Sequence, residues 1–181
     1  MRVRTINLIV LVHGLLLAAM PARAQAPPPS EYQLKAAFLF NFAKFVEWPT
    51  QAFANDTAPF IIGILGDNPF AGDLVNTVAG KKINEHPISV QKFENPADTA
   101  KCHILFIGSS EKNRLPEIIE KLKGSAVLTV GDMERFIESG GIINFVHEAS
   151  KIRFQINDDA AKSIKLKISS KLLSLAVASP R

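Results

Sequence analysis

A single cysteine, Cys102, among 181 residues leaves no partner for an intrachain disulfide, so core packing alone must hold this chain together. Cys102 opens the apolar run CHILFIG, where a thiol reads as a small buried hydrophobe rather than a reactive group. The sequence has no G-x-G-x-x-G turn and no G-x-x-x-x-G-K-[ST] loop, which removes the common cradles for dinucleotides and phosphates. His86, His103 and His147 show no H-x-x-x-H or Cys/His ligand spacing, so zinc has no framework, and one ordinary hydrogen bond would satisfy a strand histidine. No Ser or Cys nucleophile sits in a recognisable elbow. These absences leave no positive case for an enzyme, for a cofactor or for a metal.

Long hydrophobic runs are also scarce, apart from one at the start. Arg2 and Arg4 precede an apolar stretch from Ile6 to Met20, and Pro21-Ala22-Arg23-Ala24 follows with the small-x-small pattern of a signal-peptidase site. The run is shorter than the roughly 20 residues needed to span a bilayer. Residues 1–24 are therefore expected to be a cleaved signal peptide, placing the mature protein in the periplasm without membrane insertion. Residues 25–30, containing APPP, form a flexible Pro-rich spacer, and 31–178 form one domain. Charge then loses its message. Taking Arg2, Arg4 and Arg23 from the 21 basic residues leaves 18 against 17 acidic ones, and no basic run exceeds Lys81-Lys82. A nearly neutral chain without such a run does not suit nucleic acid.

What the chain has is an unusual first helix, YQLKAAFLFNFAKFVEWP from Tyr32 to Pro49. Leu34, Phe38, Phe42 and Phe45 recur at i, i+4, i+8 and i+11 and predict one core stripe. Phe40 projects from nearly the opposite side, beside Ala36, Ala37 and Ala43. Either the helix is sandwiched within its own domain, or its second face meets another chain.

Beyond it, strand and helix signals alternate. Phe60–Gly66, Ile88–Phe93, Cys102–Ile107 and Ala126–Val130 read as strands. Helices are expected from the Asp67-Asn68-Pro69 start to Ala79, from Glu111 to Lys123, and from Met133 to Glu138 before Gly140-Gly141. Ile142–His147 and Lys151–Ile156 predict an antiparallel hairpin, and Asn157 caps a long terminal helix reaching Val177. The predicted fold is α/β: a mainly parallel central sheet flanked by helices, a Rossmann-like sandwich, with a C-terminal antiparallel hairpin and terminal helix. Such sheets bind ligands beyond the carboxyl ends of their strands, which here are Gly66-Asp67-Asn68, Gly108-Ser109-Ser110 and Gly131-Asp132. Helix capping accounts for Ser109 and Ser110, and for Asp67 and Asp132, better than an anion or metal site does. An enzyme would need Asp67, Asp132 and a histidine to converge. A small-molecule module would use these turns as its pocket.

The blocks KAAFLFNFAKFVEWP, KCHILFIGSS, VLTVGDMERFIESGGIINFV, KIRFQIN and LKISSKLLSLA, in this order from Tyr32 to Ala176, resemble the YfiR-like family of periplasmic regulators. The resemblance implies a compact α/β domain that self-associates as a homodimer and represses an inner-membrane diguanylate cyclase by binding its periplasmic sensor domain. Cyclic-di-GMP signalling and biofilm or exopolysaccharide output would fall, and an OmpA-like outer-membrane lipoprotein would relieve the repression. A redox switch of the kind found in relatives with paired cysteines does not transfer to a chain whose only thiol is Cys102. The alternative is a periplasmic small-molecule binding module feeding a membrane sensor such as a histidine kinase. Phe40, Trp48 and Arg153 are the expected partner or dimer contacts. Self-association would give the second face of the first helix a use.

Overall fold

A computed structural model describes residues 28–178; the expected signal peptide, 1–24, and the first half of the spacer, 25–27, lie outside the described residues. Ser30 starts helix α1 (Glu31–Phe45) with a reciprocal capping box: its hydroxyl accepts from the Gln33 N–H, and the Gln33 side chain accepts from the Ser30 N–H. The buried face of α1 differs from the predicted stripe. Ala36, Leu39, Phe42 and Ala43 are buried, whereas Leu34 is 39% exposed. Phe38 and Phe45 are only partly buried along one flank, and Phe40 along the other. The period was read correctly but its phase was off, because large side chains were given the core and the alanines were not. Close seating on a sheet favours alanine at the contact line.

Two residues after α1, Val46–Glu47 (β1), pair antiparallel with Lys167–Ile168 (β9). The main sheet comprises β2 (Phe60–Leu65), β3 (Lys82–Ile83), β4 (His86–Phe93), β5 (Ile104–Ile107), β6 (Leu128–Gly131), β7 (Ile143–Glu148) and β8 (Lys151–Ile156). Its order is β3-β4-β2-β5-β6-β7-β8. Parallel pairings join β4, β2, β5, β6 and β7 in turn, while β3–β4 and the β7–β8 hairpin are antiparallel. The fold is α/β as expected, but the sheet is mixed, and the Rossmann-like, mainly parallel sandwich does not describe it.

The sheet is covered on both faces, which is why its central strands read as continuous apolar runs. Ile62, Ile64, Ile104, Phe106, Leu128 and Val130 point toward α1 and the short helix α2 (Asp73–Val78), in the same core as Phe145 and Phe154. Their neighbours Leu65, Leu105 and Ile107 point the other way, against Leu115 and Ile118 of α3 (Leu115–Lys121) and against Phe136. Each fully buried aromatic side chain contributes about 2–3 kcal/mol by transfer from water.

Three expected helices are shorter or missing, for one recurring reason. The α2 region begins as turns, with Gly72 rather than Asp67 or Asn68 at the cap, and Ala71 already has φ +48°. Residues 133–140 form turns instead of a helix, interrupted by Arg135 at φ +60°. The long terminal helix is two: α4 (Asp158–Ser163) and α5 (Ser170–Leu173). Lys165, at φ +64°, stops α4 in a Schellman arrangement: the Leu166 N–H donates to the Ala161 carbonyl and the Lys165 N–H to the Lys162 carbonyl, both at 3.0 Å. Buried Leu166 and Ala161 supply the accompanying apolar contact. A helix between Glu111 and Lys123 does form as α3, but it is preceded by a 3₁₀ turn, Ser109–Arg114.

Gly63 in the middle of β2 makes room for the only thiol. A Cβ there would lie 2.7 Å from Cys102 Sγ, 2.9 Å from the Phe93 ring and 3.0 Å from Leu105. Gly63→Ala should therefore cost about 1–3 kcal/mol of unfolding free energy by urea denaturation. Combining it with Cys102→Ala should recover part of that loss, because the shortest of the three contacts is removed.

Candidate functional site

The three expected contact residues do not form one site. Phe40 lies half-buried on the flank of α1, with Lys81 Nζ 4.5 Å and Lys44 Nζ 5.6 Å from its ring centre. Trp48 is turned inward: its Nε1–H donates to the His103 carbonyl at 3.2 Å, and its ring meets Phe60 edge-on at 4.9 Å. Arg153 stands exposed on the edge strand β8, 3.7 Å from Glu148. Among the described residues no hydrogen bond, ion pair or ring contact joins the three.

Trp48 belongs to an aromatic stack invisible in the sequence. His86 lies on the Phe53 ring at 3.9 Å, Phe53 on His103 at 4.4 Å, and His103 on Phe60 at 4.7 Å. His103 Nδ1 accepts from the Ile61 N–H at 3.1 Å, so the neutral ring carries its proton on Nε2, which has no hydrogen-bond partner. One bond thus satisfies only half of this ring. Burial foremost, then the neighbouring His86, pushes the His103 pKa down to about 4.

A buried lysine is the largest departure from expectation. Lys35 is 3% exposed, and its ammonium is ion-paired with Glu31 and, at 3.0 Å, with Asp132 at the carboxyl end of β6. The Tyr32 hydroxyl donates to the same carboxylate at 3.2 Å, while Nζ lies 4.5 Å from the Tyr32 ring centre. His147 Nε2 lies 3.2 Å from Glu31 Oε1 and closes the cluster. Burial works against the Lys35 charge, yet the hydrogen bonds it donates to Glu31 and Asp132 outweigh it and hold the ammonium above the usual lysine pKa. The Lys35 contact also keeps Glu31 below the usual carboxylate value. This arrangement fastens α1 to the sheet; it neither presents a free base nor leaves a carboxylate available. Asp67 makes no contact with this cluster: it is exposed, and its backbone N–H donates to Ser110 Oγ at 3.0 Å. That bond, rather than helix capping, is the use of Ser110, since Gly108 caps the following turn without a side chain. No cluster of three or more metal-ligating side chains occurs among the described residues.

Gly140 and Gly141 have different uses. The Phe136 ring is fully buried, and a Cβ on Gly131 or Gly141 would come within 2.5 Å or 2.2 Å of it, so these two glycines clear its slot in the sheet's second core. Gly140, at φ +94°, ends the preceding turn, its N–H donating to the Ile137 carbonyl and the Gly141 N–H to the Phe136 carbonyl.

Two grooves lie at the opposite end of the sheet from the turns that a small-molecule module was expected to use. A groove of about 480 Å³ opens at the amino ends of β5 and β6, walled by Pro49, Gln51, Ala52, Ala100, Cys102, Gly124–Ala126 and Ser163–Lys165. It adjoins a more apolar groove of about 230 Å³ between α3 and α4, and the two share Ser163 and Ile164. Cys102 is nearly buried here; its thiol donates to the Thr99 carbonyl and burial pushes its pKa up to about 12, so it remains a neutral, unreactive wall.

This geometry defines a small α/β domain in which the charged cluster is structural and the clefts are formed by small residues and loops. Residues 32–177 match the YfiR/HmsC-like family, and the chain belongs to that family. Among solved structures, a conserved domain protein from Vibrio cholerae shares the fold, with a TM-score of 0.55 at 13% identity over 81% of this chain. The chain spans 59% of that protein's length. No curated protein matches the sequence.

Two stability measurements test the buried groups. Lys35→Met leaves Asp132 unpaired beneath α1 and should cost roughly 3 kcal/mol in chemical denaturation, with lost helix signal at the transition. For His103, the unfolded ring binds a proton near pH 6.5 while the folded ring resists it until about pH 4. Stability should accordingly fall as pH drops through that window, by about 2–3 kcal/mol in all. His103→Phe should flatten the slope between pH 6.5 and 4, whatever its effect on stability at neutral pH.

Proposed function

We propose that this chain is a periplasmic regulatory protein that binds the periplasmic sensor domain of an inner-membrane diguanylate cyclase and represses it. Cyclic-di-GMP signalling, and with it biofilm or exopolysaccharide output, falls while the complex persists. The observation that carries this reading is membership of the YfiR/HmsC-like family across nearly the whole described chain. No described helix is long and apolar enough to cross a membrane, which suits a partner that meets its target outside the bilayer.

The mechanism is a population shift. A repressor moves its target toward the inactive state only by the difference between its affinities for the two states. A competitor for the repressor, such as an OmpA-like outer-membrane lipoprotein, reverses the shift by mass action. Phe40 is the contact residue of choice on α1. Its ring is only partly buried, and neither Lys44 nor Lys81 beside it has a carboxylate partner among the described residues. A homodimer through the same helix would compete with the membrane partner.

Affinity purification of the tagged protein from periplasm and solubilised membranes should recover a membrane-bound cyclase. Deleting the gene should raise cyclic-di-GMP, and Phe40→Glu should weaken recovery at least tenfold with the circular dichroism spectrum retained. Failure to recover any membrane sensor, together with unchanged cyclic-di-GMP in the deletion strain, would sink the proposal.

A further inference from the structure

The paired grooves at the amino ends of β5 and β6 have no role in the regulatory reading, and they are built in a particular way. Ala52, Ala100, Gly124, Ala126 and Ser163 come from four separate segments, and it is their small side chains that leave about 480 Å³ open. The wall of the larger groove carries the polar residues Gln51, Ser125, Ser163 and Lys165 among its small apolar ones. Beyond the shared Ser163 and Ile164, it turns apolar along Leu122, Val127, Ile142 and Ala160. An elongated molecule lying across both grooves would meet a change from polar to apolar along its length.

Charge narrows the choice. No Asp or Glu lines either groove, while two lysines do. Lys123 is paired with Glu120, whereas Lys165 has no ion-pair partner among the described residues. The Lys165 backbone is fixed by the hydrogen bonds that end α4, so the root of this exposed side chain is held at the rim while its ammonium can swing toward a bound anion. Cys102 on the same wall is an uncharged thiol and does not repel an anion. A cationic ligand would meet no counter-charge here, and a fully apolar one would leave Gln51, Ser125 and Lys165 without partners.

We propose that this double groove binds a small amphipathic carboxylate, its acid group at the Lys165 end and its apolar body along the channel between α3 and α4. The site does not depend on which membrane protein the chain regulates, and nothing in it breaks or forms a covalent bond.

The protein itself carries a reporter. Trp48 is the only tryptophan, and it directly precedes Pro49 in the groove wall. Titration of the full purified chain with octanoate, below its micelle concentration, should give a saturable change in tryptophan emission and a raised melting temperature. Lys165→Met should weaken octanoate binding at least tenfold and Lys165→Arg should restore most of it, while octylammonium should produce no saturable response. Ala126→Phe, which fills the groove, should abolish binding; Ser163→Phe at the junction serves the same purpose if the first variant does not fold. Absence of saturable octanoate binding overturns the site, as does unchanged affinity in both a folded groove-filling variant and Lys165→Met. An equal response to octylammonium overturns the assignment of an anionic ligand.

Discussion

The seating of α1 on one face of the sheet is the constraint from which most of this structure follows. Leu39, Phe42 and Ala43 lie on the core that includes Phe145 and Phe154 of the hairpin, with Phe42 stacked 5.8 Å from Phe145 and edge-on to Phe154 at 5.1 Å. Both ends of the helix are fastened, by different means. At its start the Lys35 ammonium reaches Asp132 on the sheet; at its end the Ser169 N–H donates to the Phe45 carbonyl and Val46 pairs with Ile168. A buried ammonium alone would cost several kcal/mol, and two carboxylates and an aromatic face offset that here. Removing one partner is consequently worse than never having built the pair.

Legibility in the sequence divided along physical lines. Strands buried on both faces were visible as apolar runs in FIIGIL, ILFI and LTVG, where the one polar side chain, Thr129, is buried with its hydroxyl accepting from the Ile142 N–H. The hairpin was visible too, in its alternation and short connection. The helices were harder. Arg135 and Lys165 adopt positive φ without being glycine, so the breaks they impose on two expected helices left no mark in composition. For α1 the spacing was right and the phase wrong, since the contact line is marked by Ala36 and Ala43 rather than by the phenylalanines on its flanks. Lys35 escaped notice because lysine is almost never fully buried, and only the fold brings Asp132 to it. The glycine pair at 140–141 did carry a signal: Gly140 ends the segment before it with a positive φ, and Gly141 also leaves the slot for Phe136.

The same packing explains why the clefts are at the unexpected end. In open parallel sheets the carboxyl ends of the strands usually hold the ligand, since the turns there diverge and leave a crevice. In this chain those turns are filled from within. Gly108 is so close to the Asp67 backbone that a Cβ would lie 2.6 Å from its carbonyl oxygen, and the Ser110 hydroxyl is bound to the Asp67 N–H. Asp132 at the end of β6 is taken by Lys35 and Tyr32. With that end committed to holding α1 and the turns together, open space is left where the chain enters the strands. There, alanine, glycine and serine from four distant segments meet, and because each is an unremarkable loop residue on its own, no linear motif announces the groove they form.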